Sequence, residues 1–203
     1  MTFTTNVARA ILPAALVLAA PASAKGDAAD MAHLKAHISS VHTMTANFTQ
    51  TDARGRTSSG TLQMERPGKV RFQYGGGDLL LVANGKTLTF IDYTVGQKSS
   101  WPLGRTPLGV LLSDSPNLKG RAEIVPSKDP RVVSVRARDP AQYGSVTLVF
   151  LRSGSAPGGL QLYGWTAVDG QSKRTTVKLS NVRYNVAVPA SAFRYDEPKK
   201  KRG

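Results

Sequence analysis

Apolar residues recur at every second position through most of this chain, the period of a strand with one buried face. In "VVSVRAR", Val133, Val135 and Ala137 alternate with Ser134, Arg136 and Arg138. The same period runs through "TANFTQT", "SGTLQME", "KVRFQY", "GSVTLVFLR", "LQLYGWTAV" and "RTTVKLSNVRY", with shorter runs at "RAEIV" and "FRYD". One apolar and one polar face per strand describes an antiparallel sheet covered on one side. About ten such strands in succession curl into a barrel or half-barrel. "LLLVANGKTLTFID" contains Asn84-Gly85, the strongest short hairpin signal. A two-residue turn there predicts Leu81 opposite Leu88 and Leu79 opposite Phe90, which sets one apolar face.

Two stretches have helical spacing instead. Met31, Leu34, Ile38 and Val41 follow the capping candidates Asp27 and Asp30, which predicts a helix over about 28–41. "TPLGVLLSD" places Thr106 as a cap and Pro107 at the first helical position, before Leu108, Val110, Leu111 and Leu112. The predicted fold is therefore mainly β: an incomplete antiparallel β-barrel, a half-barrel with short α-helices forming a lid over a hydrophobic cavity. Lid residues are Leu34, Ile38, Leu108, Val110, Leu111 and Leu112. The cavity wall is expected from Phe48, Leu62, Met64, Val70, Phe72 and Tyr74 on the early strands. Leu79, Leu81, Leu88 and Phe90 of the hairpin continue it.

In "LQMERPGKVRFQY" the residue after Leu62 and Met64 on the apolar face is Arg66. A residue before proline stays extended, so Arg66 continues the strand. A three-residue connection, Arg66 to Gly68, pairs Glu65 with Lys69, Met64 with Val70 and Leu62 with Phe72. It leaves Arg66 at the rim of the concave side. Its guanidinium either snorkels to water or donates to backbone carbonyls of the lid. Bonds of about 1.5–3 kcal/mol each would hold a lid shut and still be exchangeable.

Composition then restricts the setting. Arg9, the run "AILPAALVLAA" and Ala22-x-Ala24 form the pattern of a secretory signal peptide, which places cleavage after Ala24. The run is too short to span a bilayer. Residues 25–197 then form one domain, and "PKKKRG" (198–203) a basic tail too short to fold. No cysteine is present, so neither a disulfide nor a thiol-linked lipid anchor is available, and a soluble periplasmic protein is expected. The formal charge of +14 would suggest nucleic acid in a cytoplasmic protein. For an exported one it points instead to membranes and envelope polymers, and no nucleic-acid partner is expected.

Catalytic patterns are missing. The histidines are His33, His37 and His42. His33 and His37 stand one helical turn apart, a metal-capable spacing with no further ligand to complete it. No G-x-S-x-G elbow occurs, and "GGGD" lacks the partners of a phosphate loop. No enzyme, cofactor or metal is expected.

"NFTQT", "GTLQMERPGKVRFQY", "LLVANGKTLTFID", "TPLGVLL" and "PASAFRYDEP" occur in the order found in the periplasmic outer-membrane lipoprotein carriers, and the chain resembles that family, LolA, over most of residues 25–203. The resemblance implies a lidded half-barrel that receives acylated lipoproteins from an ATP-driven inner-membrane exporter and passes them to an outer-membrane receptor. It implies a monomer without cofactors. It also places Arg66 where the family has an arginine bonded to the lid, near Ile38, Leu111 and Leu112. Gly109 in the second lid helix and the local "GGGD" depart from the family pattern. A lipoprotein sensor or a carrier of another amphiphile, such as a glycolipid, would share the signature. An envelope hydrolase would need a carboxylate or histidine constellation that is not visible.

Overall fold

The alternating stretches fold into strands β1 (Thr43–Thr51), β2 (Thr57–Glu65), β3 (Lys69–Tyr74), β4 (Leu79–Asn84), β5 (Thr87–Asp92) and β6 (Gln97–Pro102), one meander. A second meander contains β7 (Ala122–Val125), β8 (Val132–Arg138), β9 (Ser145–Arg152), β10 (Leu160–Val168) and β11 (Arg174–Tyr184). The structure is a computed structural model and describes residues 22–106, 109, 112, 118, 122–138 and 144–199. Antiparallel pairing of β1 with β11 joins the meanders into one sheet, ordered β6-β5-β4-β3-β2-β1-β11-β10-β9-β8-β7. Its edges, β6 and β7, are consecutive in the chain and lie at opposite ends of that order. The barrel is therefore left unclosed.

Alternation survives folding. Val146, Leu148 and Phe150 of β9 are buried, and the intervening Thr147, Val149 and Leu151 are half-buried. The β2–β3 turn has the expected register, with Glu65 opposite Lys69, Met64 opposite Val70 and Leu62 opposite Phe72.

The β4–β5 hairpin differs from expectation by two residues. Leu81 pairs with Phe90, Ala83 with Leu88, and Leu79 with Asp92. A two-residue shift keeps each side chain on its expected face. The two-residue turn falls at Gly85-Lys86, one residue later than expected, and neighbouring turns hold it there: Gly85 N–H donates to Gly68 O at 3.0 Å, and Lys86 O accepts from Leu103 N–H at 2.7 Å.

Its other face is apolar too. Leu80, Val82 and Ile91 are fully buried beneath Tyr93 and Tyr195. This cover comes from the segment after β11, where "FRYD" was expected as a strand. Instead a 3-10 turn (Ala190–Phe193) leads into an extended strap. The strap is held by side chains rather than by a ladder. Arg71 Nη1 donates to the carbonyls of Ala192 and Arg194 at 3.1 and 2.9 Å, and the Tyr93 hydroxyl donates to Asp196 O at 3.0 Å. Strand β6 had no sequence signal because "QKSSWP" carries no apolar alternation. Its pairing with β5 places it.

Helix α1 (Ala22–Ser40) starts earlier than expected and runs across the expected cleavage point at Ala24. Asp30 does not cap it; the carboxylate accepts from Arg152 Nη2. Gly109 and Leu112 are helical, as "TPLGVLLSD" predicts. Leu108, Val110 and Leu111 lie outside the described residues. Among the described residues no helix is long and apolar enough to cross a membrane.

The concave side holds two cores. One gathers Val41, Met44, Phe48, Leu62, Met64, Val70 and Phe72 with Leu103 and Leu112. The other gathers Leu34 and Ile38 of α1 with Val133, Val135, Leu148, Phe150 and Leu160. Leu162 and Trp165 of β10 pack against both.

Candidate ligand cavity

Between the two cores lies a cavity under α1. Leu34, His37, Ile38 and Val41 roof it, with Leu112 beside them. Met44, Leu62, Met64, Val70 and Phe72 form one wall, and Val146, Leu148, Phe150, Leu162 and Trp165 the other. Its volume is about 80 Å³. A water needs roughly 10–15 Å³ on this measure, so the closed cavity holds only a few water-sized groups. A long alkyl chain requires the roof to move.

Helix α1 is seated on the loop between β9 and β10. Nδ1 of His33 donates to Gly158 O at 2.9 Å, and Nδ1 of His37 to Pro157 O at 2.8 Å. Because a carbonyl only accepts, each ring carries its proton on Nδ1. Gly158 has φ +64°, and a Cβ there would lie 2.3 Å from His37 N. The helix backbone therefore rests directly on the loop. The metal-capable histidine pair is committed to this seat, and no group of described residues could hold a metal ion.

On the opposite side the β2–β3 turn grips the roof. Arg66 N–H donates to His42 O and Gly68 N–H to Leu112 O, both at 2.8 Å. Arg66 Nη1 donates to Ile38 O. The last four carbonyls of a helix lack intrahelical partners, and in α1 three of these find donors nearby. His37 O accepts from Val41 N–H, Ile38 O from Arg66, and Ser40 O from Asn185 Nδ2. A cation here also complements the negative end of the helix dipole.

Among the described residues, His37 and Arg66 are the polar side chains on an otherwise apolar wall. Burial pushes the His37 imidazole below its ordinary 6.5; the nearby Arg66 cation acts in the same direction, and the bond to Pro157 O opposes them. The folded state thus binds the His37 proton less readily than the unfolded chain. The stability that neutral His37 contributes is complete above pH 6.5 and is lost as pH falls below it toward the depressed folded value. Urea midpoints should therefore decline as pH falls below 6.5, with a shallower decline in His37→Gln. Parallel pH profiles for the two proteins would show that His37 does not set this dependence.

Of the expected site residues, Leu34, Ile38, Leu62, Met64, Arg66, Val70, Phe72 and Leu112 line the cavity. Phe48, Tyr74, Leu81 and Leu88 lie in or against the adjoining core rather than on the cavity wall. Leu79 and Phe90 are half-buried on the hairpin beyond it. Their place follows from the sheet order, which puts β4 and β5 toward the β6 edge, away from α1. The sequence reading missed His37, Val41, Met44, Val146, Leu148, Phe150, Leu162 and Trp165. Strand period identified the buried faces of β9 and β10 but not the element they face.

An unclosed sheet roofed by a helix, with an apolar cavity at the seam of two cores, defines a lidded half-barrel. The chain belongs to the family described as "Outer membrane lipoprotein carrier protein LolA", which matches residues 39–196. It is 30% identical to an outer-membrane lipoprotein carrier protein of Chromobacterium violaceum, over 91% of this chain and 92% of that protein. It is 27% identical to the carrier protein of Pseudomonas fluorescens, over 87% and 89% of the two chains. A crystal structure of a LolA superfamily protein from Nitrosomonas europaea aligns with a TM-score of 0.47 at 10% identity, covering 82% of this chain and 97% of that one.

Proposed function

We propose that this protein is a soluble periplasmic carrier, exported by residues 1–24, that takes the acyl chains of lipoproteins released at the inner membrane and delivers them to an outer-membrane receptor. The observation that carries this reading is the apolar cavity roofed by α1 and Leu112 in a member of the carrier family. Exposing an acyl chain to water costs about 0.8 kcal/mol per methylene. A protein that covers the chains lowers that barrier without any catalysis. Arg66, bonded to Ile38 O, acts as the latch between the β2–β3 turn and the roof. The carrier works as a monomer.

The test uses inner-membrane vesicles that contain the lipoprotein exporter and a labelled triacylated lipoprotein. Adding residues 25–203 with ATP should bring the label into a soluble one-to-one complex. If the exporter is active and no soluble complex forms, the carrier reading is wrong, and a lipid extract of the purified protein would identify a different amphiphile.

A further inference from the structure

We propose that the cavity prefers single-chain anionic amphiphiles, fatty-acid carboxylates above all, over neutral ones of equal length, because the carboxylate replaces the Ile38 carbonyl at Arg66. This deepens the proposed function and rests on it, since it presumes that the cavity accepts an alkyl chain.

Three observations lead to this ligand class. Among the described residues the wall is apolar except at His37 and Arg66, and Arg66 supplies its permanent charge. Arg66 is half-buried as a residue, but its guanidinium Nε is enclosed and its Nη1 lies on the roof carbonyl of Ile38, so the charge meets an amphiphile's headgroup at the point where the chain enters beneath the roof. The closed cavity of about 80 Å³ is too small for a long chain, so every such ligand must displace the roof and disturb the Arg66–Ile38 contact.

At that step the two ligand types differ. An ionised carboxylate is a stronger acceptor than a peptide carbonyl and pairs with the planar guanidinium through two parallel bonds. It therefore compensates for the contact it breaks. An alcohol of the same chain length brings the same apolar burial and only a weak neutral acceptor. Carboxylates are ionised well below neutral pH, so the preference is complete at about pH 8. Neutral His37 then adds no competing charge to the wall.

The experiment is displacement of a cavity-bound apolar fluorescent dye by dodecanoate and by dodecanol at about pH 8. Wild type should bind the acid at least tenfold more tightly, a difference of about 1.4 kcal/mol. In Arg66→Leu the acid-to-alcohol ratio should fall to about one, whatever the absolute affinities. Arg54→Leu, which removes an equal charge from the exposed β1–β2 turn, should keep the preference. Equal affinities in wild type overturn the inference but leave the cavity as an acyl site. A preference that persists in Arg66→Leu assigns it to the general positive charge of the surface and also overturns the inference. If neither ligand displaces the dye, the cavity reading falls with it.

Discussion

With Arg66 replaced by Leu, the protein should take up an apolar dye about ten- to 150-fold more tightly than wild type. The substitution removes the charge-assisted hydrogen bond from Arg66 Nη1 to Ile38 O. Such bonds contribute about 1.5–3 kcal/mol, and each 1.4 kcal/mol is about tenfold in an equilibrium. The effect falls on the closed state. Ile38 O lies in the last turn of α1, where no intrahelical donor reaches it. In the closed variant the carbonyl is left without its cation under the roof, and in the open variant it meets water. The seat of α1 on Pro157 and Gly158 is untouched, so the fold should persist with an unchanged far-ultraviolet spectrum. Dye affinity within about twofold of wild type would show that Arg66 is not a latch.

Phe48→Ala should give the largest loss of stability. Phe48 is 2% exposed, and its ring stands edge-on to Phe72 and Tyr74, with centroids 5.5 and 5.1 Å away. Phe72 in turn meets Trp165 of the cavity wall at 5.8 Å. Strand β1 is the junction of the two meanders, so a void here loosens the pairing that unites the sheet. Gly60 lies opposite on β2, where a Cβ would be 2.9 Å from the Phe48 ring. The ring is thus packed against bare backbone that cannot grow to fill its place. Truncating a buried phenylalanine costs about 3–5 kcal/mol. For a chain of this size that lowers the melting temperature by roughly 6–20 °C. A fall of less than about 3 °C would mean that the surroundings collapse around the shorter side chain and that the aromatic cluster is not the main support of the junction.

How far the chain could be read depended on how local each feature is. The β2–β3 register was legible because Pro67 and Gly68 restrict the turn, and because the flanking residues alternate without a break. The β4–β5 register was not, since Gly68 O and Leu103 N–H, from two other turns, bind its tip. Both faces of that hairpin are apolar, so pattern alone could not reveal that Leu80, Val82 and Ile91 lie under the strap. "FRYD" has strand-like alternation, yet its partners are the side chain of Arg71 and the ring of Tyr93, which no period encodes. His37 stood out in the sequence only for its one-turn spacing from His33. It is buried among tertiary neighbours that include the rings of Phe150 and Tyr184, with centroids 5.2 and 5.3 Å away.

By itself, the sequence determined the secondary structure of most of the sheet, the side of each strand that is buried, and the position of Arg66 on the apolar side at a turn. These follow from period-two geometry and from proline and glycine stereochemistry, which act over a few residues. Tertiary structure alone decided that β1 pairs with β11, that the edges β6 and β7 stay apart, and that α1 sits on Pro157 and Gly158 while Arg66 holds its last turn from another side. It also decided which buried faces meet a cavity and which meet a filled core. A side chain that faces inward has the same sequence pattern in both cases; the difference lies in how completely distant elements fill the space before it.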